Sequence, residues 1–197
     1  MPRVRDEQKF NQCRESLLVV GMELFIKNSF NSVGLNDILK EAGIPKGSFY
    51  HYFASKEDFG LQVIEFYSRQ NNAALQEILA DRTLTPYQQL KKFFEDNIQH
   101  YKDIEYCQGC LMINLSQELA DVNEKLRCKI NQLSKQLVSQ VAVCIGLMNA
   151  SELNLGHLPP SEAAQVLMNS WQGAIMNMKL QKSQESLNVF MKFFFTH

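Results

Sequence analysis

Two short stretches of this chain hold side chains whose types and spacing could do chemistry. Residues 43–60 read GIPKGSFYHYFASKEDFG, and no acidic residue falls between Glu41 and Glu57. Lys46, Ser48, Tyr50, His51 and Lys56 supply ammonium, hydroxyl and imidazole donors, the set that grips phosphate oxygens and base edges. Gly47 leaves room for close approach to such a partner. Residues 106–127 read YCQGCLMINLSQELADVNEKLR, and Cys107-x-x-Cys110 has the spacing of a redox pair or of half a zinc site. Zinc needs two further ligands, and the sequence offers only His100 nearby and an isolated Cys128. A thioredoxin-type dithiol needs a βαβ setting, which the chain lacks. No metal and no cofactor is therefore expected. Cys110 is left with two roles: a small core hydrophobe, or a nucleophile that reacts with an electrophile or oxidant.

Helical periodicity dominates the segments that must position these groups. Phe10, Cys13, Leu17, Val20, Leu24 and Phe25 form one apolar stripe from Asp6 to Lys27, which Asn28-Ser29-Phe30-Asn31 ends. A short helix is predicted from Leu35, with Gly34 as N-cap and Asp37 in its first turn, closing at Gly43, where positive φ is needed. Another runs from Lys46 to Tyr52. Ser55 caps a longer helix to about Ala80, Thr85-Pro86 opens one to about Lys102, and Gly109 precedes the next. Asp121 to Met148 and Ser161 to Lys182 follow, separated by the loop-like Ser151–Pro160, and the last dozen residues are helical. The prediction is all-α with about nine helices, three of them before residue 54.

Lysine and arginine number 20 against 21 acidic residues, a formal charge of −1, so attraction to a polyanion must come from local clustering. Five cysteines, an odd number, without a secretion signal fit a reduced, cytoplasmic setting better than a disulfide scaffold. No apolar run approaches the roughly 18 residues of a membrane span, so no membrane partner is expected.

A helix, a glycine-containing turn and a two-turn helix make a helix-turn-helix, whose second helix enters the major groove of double-stranded DNA. Lys46, Gly47 and Ser48 then stand at its leading end, where backbone N–H groups also favour phosphate. Tyr50 and His51 follow on the exposed side, and Lys56 reaches the backbone from the next helix. Phe49, Tyr52 and Phe53 fall where they return to the core. AGIPKGSFYHYFASKEDF, with Leu24-Phe25 and Leu35-Asn36-Asp37-Ile38-Leu39 upstream, resembles the DNA-binding signature of the TetR family of transcriptional regulators over roughly residues 10–70. The resemblance implies a DNA-binding domain at 8–54, its signature running on to about 70, and an effector-binding and dimerisation domain at 55–197. It also implies a homodimer on palindromic operator DNA. Gly34 stands where a capping Thr is common and Pro45 where a Ser is common, so some backbone contacts are expected to move to Asn36 and Lys46.

Gly109-Cys110-Leu111, then Asn114-Leu115-Ser116 and Glu118-Leu119, with Trp171-x-Gly173-Ala174 and Lys179 later, is similar to one sub-branch of that family. One member of that sub-branch controls N-ethylmaleimide reductase and senses reactive electrophiles through a cysteine in this motif. The similarity implies a sensing site of Cys110, Trp171 and Lys179, with Cys107 as a thiol of this chain's own. A cation beside a thiol favours the thiolate, the attacking species. In the helix from Ser161, Leu167, Trp171, Ile175 and Met178 form a core stripe. Ala163, Ser170, Gly173, Ala174 and Asn177 form a second stripe of small residues. With the apolar VFMKFFF near the end, the last two helices are expected to build the dimer interface. The expected function is a DNA-binding repressor, not an enzyme, released by a small-molecule or electrophile effector. A thiol enzyme using Cys110, and an all-α interaction module without DNA, are the alternatives. No Ser-His-Asp order, metal motif or nucleotide loop supports the enzyme.

Overall fold

The structure, a computed structural model, describes residues 3–149 and 151–195, with side chains from residue 7 onward. Every regular element among these residues is helical. In order they are α1 (Arg3–Lys27), α2 (Leu35–Glu41), a 3₁₀ turn (Lys46–Ser48) running into α3 (Phe49–Tyr52), α4 (Lys56–Ala80) and α5 (Pro86–Asp103). Then come α6 (Leu111–Leu119), α7 (Glu124–Gly146), α8 (Pro160–Gln181) and α9 (Glu185–Phe194). None of them is long and apolar enough to cross a membrane. Packing divides the chain into two compact units, one running to Arg69 and including Leu111–Asn131, the other made of Gln70–Cys110 and the residues from Gln132 on. The division therefore falls within α4 and again within α7, while the sequence reading separates the chain at 54/55.

Local chemistry explains most helix ends. Thr85 and Gln88 cap α5 reciprocally: the Gln88 N–H donates to Thr85 Oγ1 at 3.3 Å and the Thr85 N–H to Gln88 Oε1 at 2.8 Å. Pro86 and Pro160 each occupy a first helical position, where a missing N–H costs nothing. Ser55 Oγ accepts from the Asp58 N–H at 3.0 Å to start α4. The start of α7 differs from expectation: Asp121 lies in a turn, and Asn123 is the cap, its Oδ1 accepting from the Leu126 N–H at 3.0 Å.

In the first unit Phe59 is the hub. Its ring lies 4.7 Å from Phe53, 5.5 Å from Phe49 and 5.9 Å from Phe25, centroid to centroid. A Cβ at Gly21 would run into the Phe59 ring, so α1 meets α4 closely at that glycine. Leu17, Leu18 and Phe25 are the buried line of α1, while Val20 and Leu24 are half-buried and Phe10 is exposed. In the second unit Phe94 sits 5.0 Å from Trp171 and 4.9 Å from Phe190, with Leu90, Leu167, Met178 and Leu187 filling around them. Buried Gln89 is satisfied by the Leu79 and Asp81 carbonyls at 3.2 and 2.9 Å, closing the end of α4.

Candidate nucleic-acid interface

The turn between α2 and α3 is fixed by backbone bonds. Gly43 adopts φ +66°; the Ile44 N–H donates to the Leu39 carbonyl at 2.9 Å and the Gly43 N–H to the Lys40 carbonyl at 3.2 Å. These are the two bonds of a Schellman motif, which needs a left-handed residue at Gly43. Two residues later Pro45 opens the 3₁₀ turn, with the Ser48 N–H on its carbonyl at 2.9 Å. The segment Lys46–Tyr52 is thus not one uniform α-helix. Its leading end is wound more tightly, as a 3₁₀ turn of the kind common at helix starts.

Phe49 and Phe53 are buried and anchor this segment to Phe59. Cutting Phe49 to Ala would cost roughly 3–5 kcal/mol. Lys46, Gly47 and His51 are exposed, Tyr50 is 70% exposed and Ser48 half-buried. Tyr52, expected in the core, is half-buried instead: Phe10 stacks on it at 4.8 Å. Burial, then a hydrogen bond with Cys13, raises its phenol above the usual range. On α2, Asn36 is exposed, and Lys40, four residues on, shares its face. Lys40 escaped the sequence reading, although that spacing was the available signal.

Lys56 is half-buried. Its ammonium lies 4.8 Å from the Phe30 ring centroid and donates to the Asn31 carbonyl at 3.5 Å. Burial lowers its pKa, and nearby Glu118 partly opposes that. Arg14, by contrast, is engaged within the unit, donating to Gln62 with its guanidinium 5.8 Å from the Phe53 ring centroid. The segment therefore presents hydroxyl, imidazole and ammonium donors outward from an aromatic anchor, an arrangement able to bind phosphate oxygens and base edges.

Cys107 is exposed, its thiol donating to the Glu105 carbonyl at 3.4 Å. Glu105 and Tyr106, just before it, hold φ of 53° and 56°, a left-handed pair of the kind that costs about 1–3 kcal/mol each without support. The Tyr106 hydroxyl supplies some support, donating to Gln184 Oε1 at 3.1 Å. Cys110 is half-buried beside Tyr101, whose phenol is pushed well up by burial and secondarily by that thiol. Tyr101 in turn lies 6.4 Å from Trp171, so Cys110 and Trp171 border the same aromatic cluster. Lys179 is half-buried two turns further along α8, about 12 Å of helix from Trp171. No group of three His, Cys, Asp or Glu able to hold a metal occurs among the described residues.

An all-helical chain that presents such a segment after a glycine turn is a helix-turn-helix DNA-binding regulator. Residues 17–63 match the model of bacterial regulatory proteins of the tetR family, and residues 86–194 that of the tetracyclin repressor-like C-terminal domain. The chain belongs to the TetR family of transcriptional regulators. It is 31% identical over 178 residues to the transcriptional repressor DhaR of Mycobacterium sp. strain GP1, covering 90% of this chain and 88% of that one. It is also 31% identical over 176 residues to the repressor NemR of Escherichia coli K12, covering 88% and 87%. The reduced form of E. coli NemR superposes with a TM-score of 0.79 over 93% of this chain and 98% of that one, at 28% identity. A TetR regulatory protein from Rhodobacter sphaeroides superposes with a TM-score of 0.84 over 90% and 94%, at 30% identity. Regulators of this family bind operator DNA and typically act as dimers with small-molecule effectors.

Proposed function

We propose that this chain is a cytoplasmic repressor that binds a palindromic operator as a homodimer and is released by a small-molecule effector, a reactive electrophile in the first instance. Residues 8–54 read DNA and 55–197 bind the effector and dimerise. The observation that carries the reading is the exposure of Lys46, Gly47, Tyr50 and His51 on a segment whose opposite side is locked by Phe49 and Phe53. Asn36 and Ser48 join the base- and phosphate-facing set, and Lys56 takes a phosphate.

Dimerisation is supported by an apolar outer face on the last two helices. Leu180, Val189 and Phe193 are 81%, 63% and 55% exposed, as are, in part, Met176 one turn before Leu180 and Val166 nearer the start of α8. Gly173 on that helix has nothing against it that a second helix would displace. A palindromic operator calls for two copies, its half-sites lying about 34 Å apart. The small-residue stripe contributes less than its sequence suggests, because Ala163 and Ala174 are buried in their own unit.

The electrophile reading rests on Cys110, half-buried at the aromatic cluster of Tyr101 and Trp171, and on the likeness to NemR, which has been solved in a form named reduced. The thiol adds across an activated double bond: an S–C bond forms, the π bond breaks, and the proton passes to the adjoining carbon. Modification favours the DNA-free state, and by linkage bound operator disfavours the adduct by the same free energy at equilibrium. Lys179 and Cys107 are the auxiliary groups of this site. Intact mass and gel shift, read together on the DNA flanking its own gene, test this. An adduct on Cys110, located by peptide mass, should appear as the operator is released, and Cys110→Ser should stay bound even when exposed Cys107 is modified. A Cys110→Ser protein that the electrophile still releases sinks the covalent reading.

A further inference from the structure

Asn114 and Glu118 stand four residues apart on α6 and so share one face. That face meets the end of α1 and the turn after it. The Asn114 amide donates to the Ile26 carbonyl at 3.5 Å, in the last turn of α1. The Phe30 and Asn31 N–H groups donate to the two separate oxygens of Glu118, each at 2.8 Å. A carboxylate gripping two successive N–H groups fixes the backbone in direction as well as in place.

The same two residues carry Lys56, whose ammonium donates to the Asn31 carbonyl and lies against the Phe30 ring. Phe30 itself is buried, 5.1 Å from Phe25, and cannot shift without disturbing the core. Lys56 is thus seated on a turn that Glu118 holds from the other side. We propose that Glu118, with Asn114 beside it, is a positioning residue for DNA binding: it fixes the Phe30–Asn31 turn and thereby the place at which the Lys56 ammonium meets a phosphate. This rests on Lys56 being a phosphate contact. A carboxylate acting only as a nearby negative charge would repel DNA, and its removal would tighten binding. A positioning role has the opposite sign.

The test uses the full-length protein and the DNA fragment flanking its own gene, titrated at several salt concentrations. Glu118→Ala is expected to weaken binding about tenfold and to lower the salt slope by about one, as Lys56→Ala does. In the double variant the losses should not multiply: Lys56→Ala/Glu118→Ala should bind within about twofold of Lys56→Ala. Glu118→Gln, which keeps the shape and one acceptor, should lose about threefold with the same non-additivity. It carries the test if the Ala variant does not fold. Equal or tighter binding by the Glu118 variants, or losses that multiply in full, overturns the positioning role. Wild-type protein that ignores the fragment, or a Lys56→Ala slope equal to wild type, defeats the DNA reading itself and this inference with it. Normal wild-type binding with a Lys56 effect but indifferent Glu118 variants defeats the inference alone.

Discussion

On the proposed DNA reading, Lys56 and His51 would meet the same kind of partner with different chemistry. An ammonium on a flexible stem carries charge and no directional code, whereas an exposed imidazole donates along a fixed line. Lys56→Ala is therefore expected to weaken every DNA sequence alike and to lower the salt slope by about one. His51→Ala should cost about 1–3 kcal/mol on the preferred site and little on variants of it. Binding measured on a set of single-base operator variants separates the two. The cysteines are sorted in the same way, by what surrounds each thiol. Cys144 is buried, donates to the Pro86 carbonyl at 3.3 Å, and is pushed up to about 11 by that burial. Its unfolded value is about 8.5. Its contribution to stability is therefore complete below that pH and is lost as pH rises towards 11. At pH 8 a maleimide should label exposed Cys107 and the proposed sensor thiol Cys110 first. Cys128 should follow more slowly, because it donates to the Glu124 carboxylate, which raises it. Cys144 should react only after denaturant is added. Early labelling of Cys144, followed by peptide mass, would contradict its burial.

The α2–turn–α3 element depends on one backbone conformation. Gly43 at φ +66° has open space around its Cα, so a methyl group there meets no clash and the cost of Gly43→Ala is conformational alone. That cost is about 1–2 kcal/mol. For a chain of this size it should lower the melting temperature by roughly 2–8 °C. Operator binding should fall by more than the stability loss explains, because α3 is aimed by this turn. Gly47→Ala, equally free of neighbours but with φ in the ordinary range, should leave the melting temperature nearly unchanged. At this scale the sequence is legible wherever a helix end has its own chemistry, as at Thr85-Pro86, Ser55 and Gly43. It misleads at Asp121, where a suitable acidic residue precedes the true cap, Asn123, by two positions. It also misses the 3₁₀ winding after Pro45, because seven residues show too little periodicity to separate two kinds of helix.

For the whole molecule, the proposed dimer would rest on the apolar face of α8 and α9. Phe193→Glu is expected to give a monomer of unchanged helical content. Its operator affinity should fall on the order of 100-fold or more, since joining two half-site contacts supplies a high effective concentration. Light scattering coupled to size exclusion reads the mass directly. A Phe193→Glu dimer with full affinity would move the interface elsewhere. The sequence pointed to this end of the chain through VFMKFFF, yet it could not divide the seven residues between inside and outside. Phe190, Phe194 and Phe195 are buried, Met191 is half-buried, Lys192 is exposed, and Val189 and Phe193 are the exposed apolar residues left for a partner.

The sequence alone determined the all-helical class, the helix-turn-helix and the polar set from Asn36 to Lys56. Those features are written in neighbouring residues, as periodicity, caps and a glycine that must be left-handed. Tertiary structure alone decided that Lys56 rests on Phe30 and Asn31, that Glu118 holds that turn from 87 residues away, and that Cys110 borders Trp171 through Tyr101. Such contacts join residues distant along the chain, and a helix pattern fixes which face is apolar without fixing what that face meets.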